Sequence, residues 1–464
     1  MLIRNAILAD GRRRDVRVAG ERIEAVARRL SAAGEEPSED GTGSAGDRTD
    51  RTETVLDATG KLLLPGMIDT HVHAREPGFP HKETWETLGR AAAAGGVTTV
   101  IDQPNTDPPT VDGERFDRKA TLAERCPVDY GINGGVTPEW HPNSLFDRPL
   151  FALGEVFLAD STGEMGIGSD PFEDAVREAS ERGIAVTVHA ENASLFSEEA
   201  REREDADAWS ALRSAEAERA AVEQACAVGD RLDAQLHIAH TSTPEGIDTA
   251  SEQGMTCEVT PHHLFLSRAD LEDLGTEGRM NPPLRSETRR KGVFERVVNG
   301  TVDIAATDHA PHTRAEKNAG IWAAPSGVPG VETALPLLLA AARGGELSYE
   351  RVRDLTAANP AAIFDLPRKG RLEAGKDADL VCVDPGRGEE IRGGDLHSKA
   401  GWTPFENREG VFPEWTMVRG RVVYERTGTG KGDGADANNE CFGDPIGENV
   451  RSASRPTEER RSIE

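Results

Sequence analysis

Seven short apolar runs punctuate the middle of the chain, at residues 98–101, 129–132, 152–158, 184–188, 236–239, 256–259 and 302–306. An eighth ends at Val72 and His73. Between them lie longer Ala- and Glu-rich segments with the amphipathic spacing of helices. Strands alternating with helices over roughly 250 residues imply an α/β chain closed into a (β/α)8 TIM barrel, with its functional groups at the C-terminal ends of the strands. An open doubly wound sheet is the competing arrangement. No Gly-rich dinucleotide fingerprint follows the first strand, which counts against it.

The flanks have another texture. Residues 2–9 and 16–26 read as short strands, with turns at Asp10-Gly11 and Gly20-Glu21. Residues 31–54 contain almost no apolar side chains, cannot offset their ordering entropy by burial, and are expected to be a disordered insertion. Strand-like sequence returns from Val55 to Leu64, and again at 370–384, 414–419 and 421–424. Residues 426–464 are rich in Gly, Asp, Asn, Ser and Arg and read as a disordered tail. The expected plan is 1–62, the barrel at 63–369, then 370–425 and the tail.

Composition removes several function classes. Lys and Arg number 54 against 82 Asp and Glu, a net charge of −28, which disfavours nucleic acid and anionic membranes as partners. Five cysteines show no C-x-x-C pairing and read as reduced intracellular thiols. No basic region precedes a long apolar run at the N-terminus, and no stretch of about 20 apolar residues could span a bilayer, so the expected location is cytoplasmic. Arg outnumbers Lys and the acidic residues are scattered, a combination that resembles proteins of salt-loving microbes.

The polar residues fall where a barrel would gather them. His71 and His73 are two apart on one strand and leave the same face, a natural half of a metal site. His189 ends the fifth strand, His240 the sixth and Asp308 the eighth. In a barrel those ends ring one mouth. By alternation His237 and His240 cannot both face it. Pro261-His262-His263, after the seventh strand, is given no chemistry, and Gly327-Val328-Pro329-Gly330 reads as a loop over the mouth.

The string Asp69-Thr70-His71-Val72-His73-Ala74-Arg75-Glu76-Pro77-Gly78 resembles the amidohydrolase superfamily, and the Arg after the second His looks most like its dihydroorotases. The resemblance implies that both chain ends join in one small β-sandwich domain. It implies metal ligands at His71, His73, His189, His240 and Asp308, holding one or two Zn2+ ions or another divalent metal, with Asp308 also moving the proton. It assigns substrate contacts to Arg75, Asn105, Asn281 and His312, and leaves His237 structural. The family usually carries a carbamylated lysine on the fourth strand. Here Glu155 stands in that place as the expected metal ligand, with Asp160 at the strand end as the alternative. The expected activity is reversible closure of N-carbamoyl-L-aspartate to dihydroorotate in pyrimidine biosynthesis, by an enzyme that could form a homo-oligomer. Hydantoinase, dihydropyrimidinase or allantoinase activity is the alternative, and a scaffold without catalysis is a further one.

Overall fold

The computed structural model describes residues 1–32, 53–159, 165–426 and 440–452. The first five strands are β1 (Leu2–Ile7), β2 (Arg13–Ala19), β3 (Arg22–Ala27), β4 (Val55–Asp57) and β5 (Leu62–Pro65). The barrel strands follow as β6 (Met67–Val72), β7 (Val97–Asp102), β8 (Asp129–Ile132), β9 (Leu153–Phe157), β10 (Val186–His189), β11 (Leu236–Ile238), β12 (Thr256–Val259) and β13 (Ile304–Ala305). The chain closes with β14 (Leu380–Val383), β15 (Glu389–Glu390), β16 (Glu409–Gly410), β17 (Pro413–Val418), β18 (Arg421–Arg426) and β19 (Glu440–Phe442).

Strands β6 to β13 are parallel and lie in sequence order, as two continuous arcs, β6-β7-β8 and β9-β10-β11-β12-β13. The ladders do not run across the two seams, where single parallel bridges join Val72 to His309 and Gly134 to Leu153. Every residue of β6 and β7 is buried, as expected of strands covered on both faces. The covering helices present Ala-rich stripes. The helix Trp85–Ala94 begins with a Thr84/Thr87 capping box and buries Trp85, Leu88, Ala91 and Ala92. Trp85 is wholly buried, and its truncation to Ala would cost about 3–5 kcal/mol.

Both chain ends meet in one nine-stranded sheet, ordered β19-β18-β17-β14-β5-β1-β2-β3 with β4 alongside β1. It carries a core of its own, which includes Ile3, Val16, Ile23, Leu63, Leu380 and Met417. The passage from sheet to barrel is direct, because β5 and β6 are separated only by Gly66. A Cβ there would lie 2.2 Å from Thr98, so only glycine lets the two backbones approach.

The expected insertion at 31–54 falls mainly on residues outside those described. Its last two residues are tied down: Glu53 pairs with Arg17 at 2.9 Å and the Thr54 carbonyl accepts from the Leu2 N–H at 2.8 Å. The expected disordered tail needs correction. Residues 440–442 form β19 against β18, and residues 446–451 then run to the barrel floor. There Tyr130 donates to the Glu448 carbonyl and Val450 donates to Tyr130, so the segment lies along the exposed edge of β8 beside the β8/β9 seam. An unpaired strand edge offers backbone donors and acceptors whatever the composition of the segment that satisfies them. The rest of the tail lies outside the described residues.

Candidate active site

The mouth of the barrel gathers His71, His73, Glu155, His189, His240 and Asp308, all buried. Glu155 is at the centre. Its Oε2 lies 2.8 Å from His71 Nε2, and its Oε1 lies 2.7 Å from His189 Nδ1 and 3.0 Å from His240 Nε2. Asp308 Oδ1 lies 3.0 Å from His73 Nε2 and 3.6 Å from His71 Nε2. Strict alternation leaves it open whether Glu155 faces inward. The register answers this: Leu153 pairs with Val186 but Val156 pairs with Val188, so β9 advances three residues against two on β10. This bulge re-aims one side chain toward the mouth. Gly154 makes it feasible, with φ +129 and Thr187 O only 2.3 Å from where a Cβ would sit. Gln103 Oε1 holds the bulge by accepting the Glu155 N–H at 2.8 Å. Asp160 lies outside the described residues.

Two sets of three groups could each hold a cation: His71, His73 and Glu155, and Glu155, His189 and His240. The donor atoms fit that role on chemical grounds. His71 Nδ1 is 2.7 Å from Glu258 Oε1, which fixes the proton there and turns a bare Nε2 lone pair toward the Glu155 carboxylate. That Nε2 is buried and has no hydrogen-bond partner. On the other side His189 Nδ1, His240 Nε2 and Glu155 Oε1 lie within 3.0 Å of one another. With neutral imidazoles lone pairs face each other in both places, and a divalent cation in each would satisfy them.

The electrostatics express the same demand. Burial opposes the charged form of His71, but Glu155 and Glu258 outweigh it and raise the imidazole well above its ordinary range. His189 rises to about 9, because Glu155 and Glu191 overcome burial. Burial would raise Glu155, yet the surrounding imidazoles hold it well below the usual carboxylate range. Backbone strain is concentrated here as well: Arg75, His240 and Asp308 take φ of 64, 35 and 45. Non-Gly residues in this region persist only where their surroundings over-determine them.

Beside the cradle stands a cationic wall. Arg75 is 3% exposed, and no carboxylate of the described residues lies within ion-pair distance of it. Its Nε donates to the Pro311 carbonyl at 3.2 Å, and burial lowers its pKa to about 10. His312 Nε2 lies 2.9 Å from the Ser326 carbonyl and 3.1 Å from Arg75 Nη2, with Lys82 Nζ 3.1 Å from its Nδ1. A lysine donates only, so Nδ1 accepts and the Nε2 proton goes to Ser326 O. Burial and three neighbouring cations keep that ring neutral. Asn105 Oδ1 holds His73 Nδ1 at 2.7 Å, and Asn281 lines the same pocket. A cavity of about 460 Å3 opens outward from Arg75 and Asn105, past Lys82 and Arg115.

Sequence reasoning missed the groups that orient the ligand set. Glu258 on β12 holds His71 and, through Oε2, His237 Nε2 at 3.1 Å, which accounts for His237 without any role in the mouth. Glu191 holds His189 Nε2 at 2.9 Å and is itself clamped by Arg213. Asp69 accepts from Thr307, fixing β6 against the Asp308 turn. Glu258 was legible only as a carboxylate within the run Thr-Cys-Glu-Val. Such partners fix the tautomer and direction of ligating imidazoles.

Known proteins share this architecture. A dihydroorotase of Halobacterium salinarum is 61% identical over 91% of this chain and 96% of its own. One of Methanosarcina mazei is 46% identical over 81% and 87%. Among solved structures, an L-hydantoinase (dihydropyrimidinase) from Arthrobacter aurescens superposes with a TM-score of 0.83 at 26% identity, covering 91% of this chain and 96% of that one. The amidohydrolase family model matches residues 62–423, from the last strand before the barrel to β18. With the ring of strand-end histidines and carboxylates, that match over most of its length places this chain in the amidohydrolase family.

Proposed function

We propose that the chain is a dihydroorotase, interconverting N-carbamoyl-L-aspartate and dihydroorotate, in which His71, His73, Glu155, His189, His240 and Asp308 would hold one or two divalent ions, Zn2+ in the first instance. The observation that carries the substrate is Arg75, buried beside the cradle with no carboxylate of the described residues within ion-pair distance. A buried guanidinium is costly unless an anion meets it, and a ring bearing a carboxylate supplies one in bidentate geometry. Bound divalent ions would supply Lewis acidity and make water a nucleophile at neutral pH.

The side chains do the rest. Asp308 accepts a proton from the attacking water and returns it to the departing ring nitrogen; burial opposes its charge, but His73 and His71 outweigh burial and hold its carboxyl below the ordinary carboxylate range. Arg75 binds the substrate carboxylate, Asn105 sets His73 and the approach to the pocket, and Asn281 and His312 complete the wall. In the reverse direction the same aspartate removes a proton from the ureido nitrogen as it bonds to the side-chain carboxylate carbon, and returns it to the oxygen that leaves, which departs as water with one further proton from solvent.

The second reading, hydantoinase or dihydropyrimidinase, is favoured by the structural resemblance alone. Hydantoin and dihydrouracil carry no carboxylate and would leave Arg75 unmatched. Turnover of dihydroorotate, dihydrouracil and hydantoin by the metal-loaded protein separates the readings. Dihydroorotate is expected to be preferred by about 10- to 100-fold, the worth of one charge-assisted pair. Equal turnover of all three would reject the assignment. The net charge of −28 and the Halobacterium relative support a cytoplasmic protein working in concentrated salt, where a Debye length near 3 Å tolerates such self-repulsion. Greatest stability in dilute buffer would contradict that. The ring of strand ends needs no second copy, and homo-oligomerisation is a matter for sedimentation.

A further inference from the structure

Lys317 closes the short helix Arg314–Lys317 and is only 1% exposed. Its Nζ lies 2.8 Å from the Arg279 carbonyl, 3.0 Å from that of Pro325 and 3.1 Å from that of Gly327. An ammonium has three donors and no acceptor, so these bonds use all three and none meets a carboxylate. The neutral amine has two N–H groups and a lone pair, so one carbonyl would lose its donor and face that lone pair. Only the charged form satisfies all three carbonyls. The Trp402 ring, 5.7 Å from Nζ, helps to enclose it, and Trp402 Nε1 donates to the His312 carbonyl at 2.8 Å.

The three carbonyls belong to two segments of the pocket wall. Arg279 stands two residues before Asn281, and Ser326 and Gly327 line the same pocket as Asn281 and Arg75. The Ser326 carbonyl, which accepts from His312, lies between the two carbonyls that Lys317 holds. The segments also meet directly, through the Gly327 N–H to the Arg279 carbonyl at 3.0 Å and Arg279 Nε to Ser326 Oγ at 3.2 Å. Lys317 ties both of them to the helix that follows His312. We propose that Lys317 is a positioning residue whose buried ammonium clamps residues 279–281 and 325–327 together, holding the pocket wall and the acceptor of His312 at the spacing the substrate needs. This rests on the reading of that pocket as the substrate site. The charged groups facing Nζ are Arg279, Glu277 and Arg75, and Lys317 is among the cations that keep His312 neutral. Burial first, then Arg279, lowers the ammonium to a pKa of about 7, so the clamp is closed below neutrality and released above it.

Metal-loaded Lys317→Met, compared with wild type on dihydroorotate, tests it. At about pH 6 its KM should be raised by roughly three- to tenfold, with kcat within about twofold and metal content unchanged. Between about pH 6 and about 8.5 the wild-type KM should climb toward that of the variant, whose own profile stays flatter. Hydrogen exchange, which needs no substrate, should quicken in peptides spanning 279–281 and 325–330 and stay unchanged in β6 to β12. Wild-type KM in the variant, a loss confined to kcat, or parallel pH profiles overturn the proposal. So does faster exchange throughout the barrel, which would make Lys317 a general stabiliser. Absence of dihydroorotate turnover in wild type would defeat the substrate reading and the proposal with it, whereas the other failures defeat the proposal alone. Should Lys317→Met fail to fold, Lys317→Gln offers two N–H donors to three carbonyls. It should show the same local quickening with a smaller rise in KM, and wild-type values there would be as decisive against the idea.

Discussion

The barrel buries charge at both ends of its strands, and the two clusters are complete in different senses. At the floor Lys369 Nζ lies 2.7 Å from Asp129 and 2.5 Å from Asp379, and Arg419 pairs with Asp129 and takes a backbone bond to Asp379. Two cations meet two carboxylates, and all four come from the chain. Those residues join β8, the segment after the barrel and the small sheet, and Asp129 also accepts from the Glu448 N–H of the C-terminal segment. At the mouth, carboxylates and imidazoles crowd together, while Arg75 a short distance away has no carboxylate of the described residues within ion-pair distance. The floor is finished by folding. The mouth instead holds groups that could take up a cation, and on the proposed function an anion beside it.

This difference can be broken from either end. The largest effect should come from Glu155→Ala. Because both three-residue sets share that carboxylate, the variant should lose both ions and its turnover, with no rescue by bicarbonate. Elemental analysis showing full metal content would sink the shared-ligand reading and direct attention to Asp160.

At the floor, Lys369→Met leaves Asp129 and Asp379 with too little positive charge. Breaking a buried pair by removing one partner costs about 3–5 kcal/mol, so denaturant midpoints should fall sharply while the KM of the surviving folded protein stays put. A stable variant would show that the floor is not the joint between barrel and sheet.

Arg75→Met is the counterpart at the mouth. Folding should be little affected, since the buried cation lost met only the Pro311 carbonyl and His312 and no carboxylate of the described residues, but kcat/KM for dihydroorotate should fall by about 2–3 kcal/mol with the metal retained. Unchanged kinetics would take Arg75 out of the substrate site.

The smallest effect concerns His397, which lies between Glu332 at 2.8 Å and Glu440 of β19 at 3.1 Å, with the Phe442 ring against it. Burial disfavours its charge, but the two carboxylates prevail and raise it to about 10. The folded state then binds a proton that the unfolded chain has released. Stability from this contact is complete below pH about 6.5 and is lost as pH rises toward 10. Thermal melts across that window should show the slope in wild type and a flatter profile in His397→Asn. Identical slopes would remove the contact as a pH-dependent tie between β19 and the barrel.

Much of this was legible beforehand. Eight short apolar runs separated by amphipathic segments define the barrel, because the burial period is local. The strand-end positions of His71, His73, His189, His240 and Asp308 announce a mouth, because a barrel places all strand ends together. Local sequence could not say where Glu155 points. The β9 bulge is a relation between two strands, visible only in the pairing of Val156 with Val188. It could not show that Glu258 stands behind His71, since that contact spans 187 residues of chain. Nor could composition reveal that residues 446–451 lie along β8, because backbone hydrogen bonds to an open edge are blind to side chains. Periodicity and residue type, carried by neighbours in the chain, determined the fold and the kinds of group at its mouth. Direction, partner and protonation depend on groups brought together from distant strands, and only the tertiary structure decided them.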